Sequence, residues 1–116
     1  MSLTIAHEEH GKRPVIALDG ELDLATAPQL AGVALALVES GAPDLIMDAE
    51  KLTFCDSSGL TVFVQVANSL QATGGRLAIA GPSPIVRRVL ELSGLIESIV
   101  VVDSVPAALA TLGTSD

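Results

Sequence analysis

Apolar and polar residues alternate through Leu3-Thr4-Ile5-Ala6-His7, which predicts a half-buried strand. Glu8-Glu9-His10-Gly11-Lys12 reads as a turn, because Gly11 can take a positive φ. Val15-Ile16-Ala17-Leu18 then reads as a second strand, hairpin-paired with the first, and Gly20-Glu21-Leu22-Asp23 leads out of it. Beyond this point the period becomes helical. Thr26 is a good N-cap, and Pro28 falls in the first turn, where a missing N–H costs nothing. The helix is expected to run to about Glu39 with Leu30, Val33, Ala34, Leu37 and Val38 on one face. Leu35 and Ala36 lie outside that stripe. Ser40-Gly41-Ala42-Pro43 stops the helix, and Leu45-Ile46-Met47 predicts a short buried strand ending at Asp48.

Thr53-Phe54-Cys55-Asp56-Ser57-Ser58-Gly59 leads into a second helix, expected to reach about Thr73. Leu60, Phe63, Val64, Ala67 and Leu70 are its expected core face, with Val66 beside them and Thr61, Gln65, Asn68 and Ser69 towards solvent. Gly74-Gly75 ends it. Leu77-Ala78-Ile79-Ala80 is the next strand, followed by Gly81-Pro82-Ser83-Pro84 and a helix through Leu92 with Gly94 as its C-terminal cap. Ile99-Val100-Val101-Val102 is the last strand, and Ser104 opens the last helix, with Ala107, Ala108 and Leu109 inside it. The tail 113–116 is expected to be mobile.

The order β-β-α-β-α-β-α-β-α implies an α/β fold: a mixed, mostly parallel sheet with right-handed crossovers, packed with about four helices. The short strands 45–47, 77–80 and 99–102 are apolar throughout, as parallel strands buried on both faces are. No repeat, linker or low-complexity segment interrupts the 116 residues, which predict a single domain over 1–116 with its core at about 3–112. Apolar residues make up 49% of the chain, enough to build a core. Runs such as Val33–Val38 and Ile99–Val102 fall far short of the roughly 20 residues of a membrane helix. Met1-Ser2-Leu3-Thr4 has no basic region ahead of an apolar stretch, so no signal peptide is expected and the cytoplasm is the expected compartment.

Charge narrows the function. Six Lys and Arg against 14 Asp and Glu give a net charge of −8. Such a chain repels phosphate backbones, and a basic pair such as Arg87-Arg88 is too small to offset this. Phe54 and Phe63 are the only aromatics, too few for a base-stacking platform. Nucleic acid is therefore not an expected partner, whereas a protein with a basic surface is compatible. The lone Cys55 excludes an internal disulfide and reads as a small buried hydrophobe. His7 and His10 stand three apart in a strand and turn, not one helical turn apart as zinc-binding histidines do, so no metal is expected. The densest polar run is Asp56-Ser57-Ser58-Gly59 at a helix start, where free N–H groups attract negative charge. A serine there either caps the helix or carries a phosphate. Gly59 would let another molecule approach the backbone. A nucleophilic role for Ser57 needs a base, but both histidines belong to the outer hairpin and no Gly-x-Ser-x-Gly elbow is present. No enzymatic activity and no cofactor are expected.

Leu52-Thr53-Phe54-Cys55-Asp56-Ser57-Ser58-Gly59-Leu60 resembles the signature of the anti-sigma factor antagonists, members of the STAS domain family. Gly20-Glu21-Leu22-Asp23, Leu45-Ile46-Met47-Asp48, Gly74-Gly75-Arg76-Leu77 and the segment Ser83 to Leu95 resemble further family landmarks in the same order. The resemblance spans about Leu3 to Leu112 and implies a STAS-like fold and a bacterial partner-switching protein of the stress-response or sporulation kind. It implies that the unphosphorylated form binds an anti-sigma factor and so releases a sigma factor. It also implies that the anti-sigma factor is a serine kinase that phosphorylates Ser57, and that a phosphatase resets the switch. Asp23, Asp56, Ser58, Gly59, Leu60 and Thr61 are the implied partner contacts. Asp23 has a turn-stabilising role as its alternative, and Asp56 a capping one. Thr61 replaces a residue that is often small in the family, and Glu50 one more often small or neutral. A different reading within the family is a constitutive STAS scaffold subunit of a signalling complex or lipid transporter, indifferent to Ser57.

Overall fold

Gly11, at φ 68°, turns the chain between two antiparallel strands, β1 (Leu3–His10) and β2 (Arg13–Leu22). The computed structural model describes residues 2–11, 13–94 and 99–113. Lys12 of the expected turn, Leu95 and the tail 114–116 lie outside them. From β2 onward helix and strand alternate: α1 (Ala27–Glu39), β3 (Leu45–Cys55), α2 (Ser57–Gln71), β4 (Leu77–Ala80), α3 (Pro84–Ser93), β5 (Val100–Val102) and α4 (Val105–Leu112). The strands form one sheet in sequence order, with β2 to β5 mutually parallel. This is the mixed, mostly parallel sheet with four helices that the residue pattern implies.

Side chains of opposite parity along β2 and β3 enter two different cores. Ile16, Leu18, Leu45 and Met47 join Leu30 of α1, Phe63 and Leu70 of α2, and Val86 and Leu90 of α3 in the main core. Val15 and Ile46 point the other way, where α4 covers them with Ala108 and Leu112. The outer face of the sheet beyond α4 is mixed, with Thr4, Ala6 and Ala17 beside charged groups. Asp19, Asp48, Glu50 and Lys51 border a shallow hollow of about 230 Å³ there.

Helix ends follow their local chemistry. Ser83 and Ser104 cap α3 and α4 by accepting the backbone N–H groups of Val86 and Ala107. Gly94 ends α3 at φ 78°, in the left-handed conformation that glycine adopts without strain. At the N-terminal end of the parallel strands, buried Asp44 is held by the Arg13 guanidinium at 3.3 Å and by the Arg76 backbone N–H at 2.8 Å. Arg13 and Arg76 both donate to the Leu112 carbonyl, so two cations close the C-terminus of α4.

Four expectations are corrected. Glu8, Glu9 and His10 are not turn but the end of β1, paired with Val15, Pro14 and Arg13. The third strand does not end at Asp48 but runs to Cys55, because β2 offers it a pairing edge as far as Leu22. It stays in register only by two irregularities, one opposite the Ala17–Asp19 step and one opposite Gly20–Glu21. The core face of α2 consists of Val62, Phe63, Val66, Ala67 and Leu70, with Leu60 and Val64 half-buried. The stripe is anchored on Gly59, which is small and gives no hydrophobic signal. Along α1, Ala27, Leu30 and Ala34 are buried, while Val33, Leu37 and Val38 are half-covered.

Candidate functional site

The site is built where β2 and β3 leave the sheet. Leu22 and Cys55, the last residues of these strands, pair with each other, and the Leu22 carbonyl accepts the Asp56 backbone N–H at 3.1 Å. Asp56 is extended, at φ −104° and ψ −171°, and its Oδ1 accepts the N–H groups of Ser58 (2.8 Å) and Gly59 (3.3 Å). Asp56 is thus the N-cap, and Ser57 is the first residue of α2.

That assignment separates the two serines. Ser57 is exposed, and its hydroxyl makes no hydrogen bond among the described residues, although its carbonyl accepts the Thr61 hydroxyl at 2.9 Å. Ser58 is half-buried. Thr61 is exposed one turn along, and Leu60 is half-buried against the core. Gly59 is buried: a Cβ there would stand 2.6 Å from Leu22 Cγ and 2.8 Å from Cys55 Sγ. The expected room for an approaching molecule is therefore filled from within, by the paired strand ends, and Gly59 is a packing residue rather than a surface one.

Asp23 lies across the loop from β2 to α1. Its Oδ1 accepts the N–H groups of Ala25 (3.0 Å) and Thr26 (3.1 Å), while its own N–H donates to Thr26 Oγ1 at 2.9 Å. The Thr26 hydroxyl donates to the Glu21 carbonyl at 2.8 Å. Thr26 occupies the N-cap position of α1 but makes no side-chain cap bond. Its hydroxyl is committed to closing the Asp23 turn. Asp23 therefore has the turn-stabilising role. It is also half-exposed, with Oδ2 unbonded among the described residues, so it still presents charge at this end of the sheet.

Cys55 lies buried beneath the loop, its thiol pushed up to about 12 by burial and, to a smaller extent, by the Asp56 charge. It stays a protonated packing group. Glu50 does not join Asp56 beside Ser57. It lies on the outer sheet face beside Asp48, about 15 Å up the strand from Cys55 at the usual rise per residue. His7 and His10 bond to Glu9 (3.2 Å) and Glu8 (3.4 Å) and pair with Ile16 and Arg13, towards the far end of β2. No imidazole is therefore brought to Ser57. Arg87 is tied to Asp103 at 2.9 Å, and Arg88 is exposed.

Two residues at this end were not singled out from the sequence. Leu24, in the Asp23 turn, is 77% exposed, and Phe54 is 43% exposed. An apolar residue inside a polar turn signals the first. The orientation of Phe54 follows from the irregularity opposite Gly20–Glu21, which no local period shows.

The family model for the STAS domain matches residues 4–108. An anti-sigma-B factor antagonist of Staphylococcus aureus is 32% identical over 95 residues, covering 82% of this chain and 88% of that protein. The anti-sigma factor antagonist SpoIIAA in its unphosphorylated form has the same fold at a TM-score of 0.81 and 30% identity, over 97% of this chain and 100% of that one. The Bacillus cell fate determinant SpoIIAA in its phosphorylated form matches at a TM-score of 0.74 and 29% identity, over 93% and 98% of the two chains.

Proposed function

This chain belongs to the STAS domain family, and from that premise we propose that it is an anti-sigma factor antagonist switched by phosphate on Ser57. The unphosphorylated form binds an anti-sigma factor and releases a sigma factor, in the cytoplasm. The anti-sigma factor is a serine kinase: Ser57 Oγ attacks the γ-phosphorus of ATP, ADP leaves, and the hydroxyl proton passes to solvent or to a base of the partner. A phosphatase returns the chain to its binding form by hydrolysis. The chain itself supplies no catalysis and no nucleotide site.

The observation that carries this reading is the exposed hydroxyl of Ser57, unbonded among the described residues, at the first position of α2 and next to the fixed carboxylate of Asp56. The hydroxyl is free to enter a kinase site, and its backbone is held by the cap, so it is presented without local unfolding. Phosphorylation adds about −1.5 to −2 charges. The N–H groups of Ser58 and Gly59 are already taken by Asp56, so the phosphate finds fewer free donors at the helix end and stands beside a like charge. Repulsion and bulk then act outward, on a partner pressed against Asp23, Asp56, Ser58, Leu60 and Thr61, with Gly59 as their buried support. The switch is electrostatic and steric and needs no change of fold.

The test is intact-mass and peptide mass spectrometry of the protein from its source cells in growth and under stress, joined to binding by Ser57→Asp. A condition-dependent phosphate on Ser57, and loss of anti-sigma factor binding in the variant, are expected. An unmodified Ser57 in every condition, with binding unchanged in the variant, would replace the switch by a constitutive scaffold.

A further inference from the structure

Leu24, Phe54, Ile85 and Leu92 are the large apolar side chains left exposed among the described residues. Ile85 and Leu92 belong to α3. Leu24 and Phe54 instead lie within two residues of the Leu22–Cys55 pair, on the two strand exits that frame Ser57. Both are held outward by structure rather than left loose. Leu24 is on the turn closed by the Asp23 carboxylate and the Thr26 hydroxyl. Phe54 follows Thr53, the extra residue in β3 where Gly20–Glu21 faces Leu52 and Phe54. The Thr53 hydroxyl donates to the Gly20 carbonyl at 3.0 Å and pins that irregularity. Glu21 is paired with Phe54, Asp23 directly precedes Leu24, and Asp56 follows Phe54 by two residues, so carboxylates neighbour both apolar groups along the chain.

Apolar anchors inside a charged rim are how protein interfaces divide their work: the anchors set residence, and the rim sets orientation and on-rate. We propose that Leu24 and Phe54 are the apolar anchors for the anti-sigma factor, whose matching face is an apolar depression bordered by Lys or Arg. The proposal rests on the function proposed above. The acidic frame is what commits the occupant to a basic-rimmed protein surface. A second copy of this chain would bring like charge against like. Ser57 follows Phe54 by three residues, at the first position of α2, so a phosphate there places its charge beside the docked area.

The experiment uses the intact chain and the anti-sigma factor kinase that modifies its Ser57. Leu24→Ser and Phe54→Ser are compared with the unaltered chain for Kd by calorimetry, for Ser57 phosphorylation and for urea midpoint. Each substitution is expected to weaken binding by at least about tenfold, with the midpoint little changed. Should Phe54→Ser lose its unfolding transition, Leu24→Ser, at an exposed turn, decides alone. Binding within about twofold of the unaltered chain, with Ser57 still phosphorylated, overturns the anchors and leaves the switch standing. An unaltered chain that neither binds the kinase nor is modified by it overturns both.

Discussion

Gly59 lies so close to Leu22 that a methyl group on its Cα would stand 2.6 Å from the Leu22 Cγ. Leu22 is fully buried, so it has little room to yield. This approach brings the first turn of α2 down onto the ends of β2 and β3 and so fixes where Ser57 is presented. Alanine gains up to about 1 kcal/mol of helix propensity over glycine, but overpacking costs about 1–3 kcal/mol. Gly59→Ala is therefore expected to destabilise the fold by about 1–2 kcal/mol, read as a lower urea midpoint at unchanged slope. A raised midpoint would show that Leu22 and Cys55 give way.

Asp56 combines a cap and a charge, and two substitutions separate them. Asp56→Ala removes the acceptor for Ser58 and Gly59 and is expected to cost about 1 kcal/mol. Asp56→Asn keeps an acceptor oxygen, so its urea midpoint should stay near that of the unaltered chain, while its affinity for a basic partner falls. Equal stability losses in the two variants would contradict the capping geometry.

At the opposite end of the sheet, Asp44→Ala would leave Arg13 without its carboxylate and the Arg76 N–H without its acceptor. Removing one partner of a buried ion pair costs about 3–5 kcal/mol, and both side chains here are 12% exposed, which places the expected loss at about 3 kcal/mol. Partner binding measured well below the unfolding transition should not change, because this cluster is remote from Ser57. A loss under 1 kcal/mol, on the order of an exposed ion pair, would contradict the burial.

Cys55 is pushed from the ordinary thiol value of 9.0 up to about 12, by burial first and the Asp56 charge second. The folded state thus disfavours the thiolate. Its share of stability is fully present below pH 9.0 and fades as the pH climbs towards about 12. Iodoacetamide at pH 8 is expected to label Cys55 slowly in the native protein and rapidly in urea. Equal rates in the two states would show an open thiol.

Much of this was legible in the sequence because it is local. Thr26-Ala27-Pro28 and Ser83-Pro84 announce helix starts, Gly94 announces a stop, and Asp56-Ser57 announces the start that carries the site. What was misread depends on distant partners. Beyond Asp48, Glu50 and Lys51 do not read as strand because they are polar and border the sheet surface that α4 leaves uncovered, yet they belong to β3. The apolar period of α2 phases on Leu60 because the residue that packs most tightly, Gly59, has no side chain. Thr26 reads as the cap of the helix it precedes, whereas its hydroxyl serves the turn behind it. The exposure of Leu24 and Phe54 has no local signature because it is a property of the assembled sheet end.

Between Asp48 and Cys55, β3 spends seven residue steps where β2, from Ala17 to Leu22, spends five. The two strands therefore have unequal arc length over one stretch of ladder, with β3 on the outer track. Each surplus residue inverts which side chains face inward, and the pair together restores the original parity, so Met47 and Cys55 share a face across both. Length in this stretch is thus counted modulo two. A single deletion would turn Cys55 out of the core and reverse Phe54, while removal of both surplus residues would keep parity and straighten the strand. Drift in the length of this segment among related chains should proceed in pairs.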